Sequence, residues 1–142
     1  MKAISLRIPI TPTPKGRPRV SILGGHAHAY TPKKTADYER DIAYHYTRAC
    51  GGFMYDRDQA LTVRIEFGMP IPKSTPKSRK DAIIEGIIKH IKKPDVDNLV
   101  KAVLDALNGV AWVDDSQIVR LIAEKRYSTE PYVFINVTER VE

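Results

Sequence analysis

Residues 61–69 read LTVRIEFGM, with Leu61, Val63, Ile65, Phe67 and Met69 alternating with Thr62, Arg64 and Glu66. Successive side chains of a strand point to opposite faces, so this period of two predicts a strand with one buried face. Downstream the period changes. Leu99, Val100, Val103, Leu104 and Leu107 recur at helical spacing and predict a helix over 98–108. Asn108-Gly109 ends it, because glycine suits a left-handed C-terminal cap. Two further strands are predicted near 118–128 and 131–140. In the second, Val133, Ile135 and Val137 alternate with Tyr132, Phe134 and Asn136, and STEP (128–131) reads as the hairpin joining the pair. Between the first strand and the helix, PIPKSTPKS (70–78) leads into a short helix over 79–91 with Ser78 as its cap.

Upstream, Ile4, Leu6, Ile8 and Ile10 alternate with polar residues or proline, predicting a strand over 3–9. Residues 11–31, TPTPKGRPRVSILGGHAHAYT, hold no sustained period and carry Pro and Gly throughout, so they read as a long, mobile, basic loop. A helix follows over 32–50, with Tyr38, Ile42, Tyr46 and Ala49 on one face, Thr31 as N-cap and Pro32 in its first turn. Gly51-Gly52 stops it. The order β-α-β-α-α-β-β predicts an α+β fold: a single domain over 1–142, with a small mixed or mainly antiparallel sheet and helices packed on it. No repeat or linker divides the chain.

A chain of 142 residues with 42% hydrophobic and 28% charged residues fits a soluble globular domain with its own core. No apolar run approaches the roughly 20 residues that span a bilayer. MKAISLRIPITP has no continuous apolar stretch, so no signal peptide is expected. The single cysteine, Cys50, excludes an intrachain disulfide and fits a reducing cytoplasm. The net charge of +6 is unevenly placed. Residues 1–36 carry Lys2, Arg7, Lys15, Arg17, Arg19, Lys33 and Lys34 and no acid, and a second basic region runs from Lys73 to Lys93. Clustered cations of this kind suit an anionic polymer such as nucleic acid, or simply a solubilising surface.

Against that background, Lys92–Gln117 gathers Asp95, Asp97, Asp105, Asp114 and Asp115. In extended backbone Asp95 and Asp97 face one side, and hard cations such as Mg²⁺ commonly take one or two carboxylates plus substrate phosphate oxygens. Equally, Asp97 stands where the N-cap of the helix belongs, a role that needs no metal. Lys101 lies four residues from both Asp97 and Asp105, which suits a salt-bridge ladder or a cation beside a phosphate. WVDDSQ is ordinary turn chemistry, yet it follows the helix closely enough to run back alongside it and bring Asp114 or Asp115 towards the N-terminal carboxylates. Converging carboxylates beside a lysine on a basic surface are what metal-assisted phosphodiester hydrolysis requires. His26 and His28 lack a third ligand at metal-binding spacing, and the glycine pairs match no phosphate-binding fingerprint. Tyr30, Tyr44 and Trp112 are candidates for base stacking, while Tyr38 and Tyr46 read as core.

The run KKPDVDNLVKAVLDALNGVAWVDDSQIV closely resembles the central motif of RusA-type Holliday-junction resolvases, in its D-x-D-N, its helical lysine, its K-A-x-x-D-A-L core and its W-x-D-D turn. PTPKGRPR (12–19) and YTPKKTADYE (30–39) are similar to N-terminal segments of that family. The resemblance implies a RusA-like fold and a homodimeric, Mg²⁺-dependent endodeoxyribonuclease, with Mn²⁺ as a substitute metal. Such an enzyme cuts two opposed strands of a four-way junction in recombination and repair. It also implies a bacterial or phage-encoded cytoplasmic protein without a membrane partner. By position, the essential carboxylates and metal ligands fall on Asp95, Asp97 and Asp115, and the catalytic lysine on Lys101; Asp105 and Asp114 match further acidic positions. The expected chemistry is metal activation of a water, with Lys101 offsetting charge on the phosphate, leaving 5′-phosphate and 3′-hydroxyl ends. DNA contacts are expected from Lys15, Arg17, Arg19, Lys33, Lys34, Lys92 and Lys93. Two other functions remain open on the residues: a non-catalytic basic DNA-binding protein, and a related nuclease that prefers flaps or other branched DNA.

Overall fold

The structure, a computed structural model, describes residues 2–17 and 19–141. Nine elements of four residues or more follow one another: β1 (Ala3–Ile8), β2 (Arg19–Leu23), β3 (His26–Tyr30), α1 (Lys33–Cys50), β4 (Leu61–Pro70), α2 (Lys77–Ile84), α3 (Val96–Leu107), β5 (Ile118–Ser128) and β6 (Tyr132–Glu139). A 3-10 turn at Asp115–Gln117 leads into β5. The alternating residues of β4 do bury one face: Leu61, Val63, Ile65 and Phe67 are fully inaccessible, and Ile4, Leu6 and Ile8 of β1 and Val133, Ile135 and Val137 of β6 join them. α1 contributes Tyr38, Ile42 and Tyr46 to this core, and α3 contributes Leu99, Val103 and Leu107. The other face of β4 and β5 is solvated, with Arg64, Glu66, Glu124 and Arg126 in a small lattice of ion pairs. The expected α+β domain, a mixed sheet with helices, is present.

Strand order in the main sheet is β1-β6-β4-β5. β6 pairs antiparallel with both β1 and β4, whereas β5 pairs parallel with β4. The hairpin expected at STEP is therefore absent: β5 and β6 lie on opposite sides of β4. Thr129, Glu130 and Pro131 pass over the end of β4, where Ser128 is level with Pro70 and Tyr132 with Gly68. Two strand spacings are about 10 Å, and four extended residue steps reach about 13 Å, so the short link suffices. Composition explains the order. β6 buries Val133, Ile135 and Val137 and suits the interior, while β5 carries Arg120, Lys125 and Arg126 and suits an edge. Gly68 admits the ring of Tyr132 directly over its backbone, in space any Cβ would fill.

The segment 11–31 is not structureless. β2 and β3 form a separate two-stranded sheet with Val20, Ser21, Ile22 and Leu23 opposite Ala29, His28, Ala27 and His26. Gly24 (φ 60°) and Gly25 (φ 81°) make its turn. Positive φ at both central residues is what a tight two-residue hairpin turn demands, which gives this glycine pair its role. Other boundaries shift as well. α1 begins after Pro32 without a side-chain cap, and Ala49 is exposed rather than core. α2 ends at Ile84, short of the expected 91, and begins after Pro76 rather than at Ser78.

Candidate active site

α3 places the acidic residues. Its N-cap is Asp95, with extended backbone (φ −71°, ψ 145°), and Asp97 falls in the first helical turn. The expectation that Asp97 caps the helix is thus displaced by two residues, and helical backbone from Val96 onward replaces the extended D-x-D geometry. The displacement frees the carboxylates: Asp95 makes no capping hydrogen bond. Its partner is the exposed Lys93, with Nζ 2.9 Å from Oδ1. Asp97 is exposed and, among the described residues, forms no hydrogen bond or ion pair.

Lys101 stands about 6 Å along the helix axis beyond Asp97, at 1.5 Å of rise per residue. It is exposed and reaches Asp105 one turn further on, at 3.2 Å. Asp105 is also held from the other side by Lys15 Nζ at 3.0 Å, and the same ammonium meets Glu39 at 2.8 Å. All three of Lys15, Glu39 and Asp105 are about four-fifths buried, with 20%, 19% and 23% of their side chains exposed. Burial works against the Lys15 charge, but hydrogen bonds to Glu39 and Asp105 outweigh it and raise its pKa. Backbone contacts fix the same residue: the Lys15 amide donates to Asn98 O, and Asn98 Nδ2 donates to Lys15 O, each at 3.2 Å. The next amide, that of Gly16, donates to Thr35 Oγ1 at 2.9 Å. Segment 13–17 therefore laces α1 to α3 beside the acids. Lys15, expected as a DNA contact, is committed to this internal network. Arg17, Arg19 and Lys34 are exposed and form no ion pair among the described residues; Lys33 pairs with Asp37 on its own helix at 2.7 Å. Lys92 is exposed.

The W-x-D-D turn divides its two acids. Asp114 is a cap: its Oδ2 accepts from the Ser116 amide, while Gln117 Oε1 accepts from the amides of Val113 and Asp114. Those hydrogen bonds from Ser116 hold the Asp114 pKa below the usual carboxylate value. Gln117 is buried, and its amide donates to Asp56 O and Gln59 O. Asp115 instead turns to α3. Its amide donates to Asn108 Oδ1 at 3.0 Å, and its Oδ1 accepts from Nε1 of the fully buried Trp112 at 2.7 Å. Burial raises the Asp115 pKa; the Trp112 hydrogen bond opposes this, the charges of Asp105 and Asp114 add to it, and Lys101 works against it. Asp115 thus lies within electrostatic reach of Asp105 and Lys101, at the C-terminal half of α3; the expected return towards the carboxylates at the helix N-terminus, Asp95 and Asp97, shows no contact among the described residues. Glu39, Asn98, Asn108 and Gln117 are the positioning groups that periodicity did not flag. Asn98 and Asn108 stood inside the motif, read there only as a match and a helix stop.

A raised folded-state pKa means that the fold takes up a proton more readily than the unfolded chain at Asp115. Its contribution is fully present below the unfolded pKa and is lost as pH rises through the folded one. At neutral pH the ionised group is therefore unfavourable in the free fold. Asp115→Asn should raise the melting temperature of the metal-free protein at pH 7, with the gain disappearing towards pH 3, as thermal melts across pH would show.

Among the described residues, no group of three or more acid, histidine or cysteine side chains is gathered closely enough to hold a metal ion by itself. The chemistry of Asp95, Asp97 and Asp115 nonetheless suits a hard divalent cation: all three are carboxylates, and among the described residues Asp97 has no partner and Asp115 no cation in contact. Mg²⁺ is commonly held by one or two carboxylates and completed by water and substrate phosphates, which asks for no closed cage.

Comparison with known proteins bears on the same residues. The family model for endodeoxyribonuclease RusA matches residues 9–138. The chain belongs to the RusA endodeoxyribonuclease family. The matched span takes in α3, the W-x-D-D turn and segment 13–17, so the whole constellation around Lys101 lies inside the RusA domain. The RusA family is one of Holliday-junction resolvase nucleases, which act on branched DNA and are generally dependent on a divalent metal. An uncharacterized protein of Bacillus subtilis (strain 168), YqaN, is 34% identical over 139 residues, covering 98% of each chain. Among the described residues of this RusA-family chain, no helix is long and apolar enough to cross a membrane.

Proposed function

We propose that this protein is a Mg²⁺-dependent nuclease that cuts paired strands of four-way DNA junctions as a C2 homodimer, leaving 5′-phosphate and 3′-hydroxyl ends. Mn²⁺ would substitute for Mg²⁺, and the setting would be the cytoplasm of a bacterium, with the gene cellular or phage-borne. The observation that carries the reading is the line Asp97–Lys101–Asp105 along one helix, with Asp115 brought beside it by the Trp112 and Asn108 contacts. Asp95, Asp97 and Asp115 would hold the metal. When bound, it would activate the attacking water and offset charge on the phosphate.

The protein's own groups supply the rest. In the free state Lys101 is parked on Asp105, and Lys15 shares that carboxylate, so Asp105 is already half-neutralised and holds Lys101 loosely. A phosphate arriving at the helix draws Lys101 away at little cost, since an exposed ion pair is worth only about 0.2–1 kcal/mol. Lys93, paired with Asp95, becomes available for the backbone when that carboxylate takes a metal. Arg17, Arg19, Lys33, Lys34 and Lys92 would grip flanking phosphates.

A panel of duplex, flap, three-way and four-way DNA, with and without Mg²⁺, tests the proposal. Preferred Mg²⁺-dependent cutting of the four-way substrate is expected. Binding without cutting would favour a DNA-binding module, and faster flap cleavage would favour the other branched-DNA activity. Two opposed cuts need two symmetry-related sites, and one domain supplies one. Light scattering that shows only monomer, free and on a junction, would sink the dimer.

The network around Lys15 separates the basic residues. Each phosphate contact contributes about −0.9 to the slope of log binding constant against log salt on duplex DNA. Arg17→Ala with Arg19→Ala should flatten the slope by up to about 2. Lys15→Met should leave it nearly unchanged, because its charge is already spent within the fold. A titration across salt concentrations reads both.

A further inference from the structure

Residues 86–94 leave α2 and enter α3 without regular structure, and the two carboxylates of the D-x-D follow at once. Two main-chain carbonyls of this segment converge on one side chain from elsewhere. Lys125 Nζ donates to Lys92 O at 2.6 Å and to Pro94 O at 2.8 Å. Lys125 lies on β5, level with Phe67 of β4. Two residues along the same face of β5, the ring of Tyr127 meets His90 edge-on, with centroids 4.8 Å apart and planes at 63°. β5 therefore grips the segment at two points, His90 and the 92–94 turn.

The lysine's choice of partners is informative. The acids Glu66 and Glu124 belong to the solvated lattice with Arg64 and Arg126. Lys125 points to the opposite face of β5, the side of Phe67, and directs its charge to two neutral carbonyls. Charge-assisted hydrogen bonds of this kind are roughly twice as strong as neutral ones. The Pro94 carbonyl belongs to the peptide that delivers Asp95, so the clamp fixes the plane from which the N-cap residue departs. On the far side, the Leu99 amide donates to Asp95 O at 3.1 Å, and Leu99 and Val100 are buried. The backbone of Asp95–Asp97 is thus held from both ends, although neither carboxylate is fixed by a cap.

We propose that Lys125 is a positioning residue of the metal site, acting through the 92–94 carbonyls to hold Asp95 and Asp97 in register for a divalent cation. This rests on the proposed metal-dependent reading of the site. Groups that orient metal ligands typically account for about 10–100-fold in metal affinity or activity. Lys125→Met should weaken Mn²⁺ binding by the free protein by about that factor. Electron paramagnetic resonance or calorimetry without DNA reads this directly. Cutting should need correspondingly more Mg²⁺ and recover to within a few-fold of wild type at saturation. Lys125→Arg, which can still reach both carbonyls, should restore most of the affinity. Lys125→Gln, keeping one donor, serves if the Met variant does not fold.

Unchanged Mn²⁺ affinity in folded Met or Gln variants would overturn the proposal while leaving the metal site intact. So would a rate loss that no Mg²⁺ concentration repairs, since that is the mark of a general structural defect. A parent protein that binds no Mn²⁺ would overturn both this inference and the metal-dependent function.

Discussion

Asp97→Asn and Asp115→Asn should each lower junction cleavage by about a thousandfold in Mg²⁺. The figure follows from several kcal/mol of metal-borne stabilisation at 1.36 kcal/mol per factor of ten. Each change removes a charge and almost no volume. Among the described residues, Asp97 forms no hydrogen bond or ion pair that Asn would break. At position 115, an Asn side-chain oxygen can still accept from Trp112 Nε1, and the backbone contact to Asn108 is unaffected. Circular dichroism should therefore look native for both, and melting at pH 7 should be unchanged for Asp97→Asn and raised for Asp115→Asn. Junction binding without Mg²⁺ should persist or tighten, because carboxylate–phosphate repulsion is relieved. Variants that still cut near the wild-type rate would return the acids to the roles of cap and turn.

Lys101→Ala should cost about 10²–10³ in rate, the usual loss when one preorganised donor to a developing anion is removed. Its effect on binding should be slight. The side chain is exposed, and among the described residues it bonds to Asp105 alone, which Lys15 continues to neutralise. Single-turnover cleavage beside equilibrium binding on the same junction separates the two quantities. A loss confined to affinity would make Lys101 a phosphate grip rather than a participant in the reaction.

The sequence exposed the strand of Leu61–Met69 and the helix around Leu99–Leu107 because each buries one face, and burial imposes the period. It did not expose strand order. β5 and β6 are close in sequence and both read as strands, yet what separates them is the competition of each for the flank of β4, a long-range matter. The β2–β3 hairpin escaped for the opposite reason. Its strands bury almost nothing, so its residues need follow no hydrophobic pattern, and the Gly24-Gly25 turn was its one local mark. At the site, residue type and spacing marked a gathering of acids around Lys101, and the resemblance to the RusA motif singled out Asp95, Asp97, Lys101 and Asp115 among them. Two adjacent acids with similar surroundings, Asp114 and Asp115, take different roles because Ser116 and Gln117 claim the first and Trp112 the second. Lys15 read as one more cation in a basic segment. Only the tertiary fold brings it to Glu39 and Asp105.

The parallel pairing of β4 with β5 also has a kinetic meaning. α2, the clamped segment, α3 and the W-x-D-D turn all lie within the connection that joins these two strands. Closing so long a loop is entropically slow, and non-local pairing of this kind governs folding time. The edge strand holds the start of the acidic helix through Lys125. The carboxylates are thus assembled within a connection that closes only when partners 57 residues apart, Leu61 and Ile118, come level (118 − 61). A chain caught short of that step has its basic arms but not its blade.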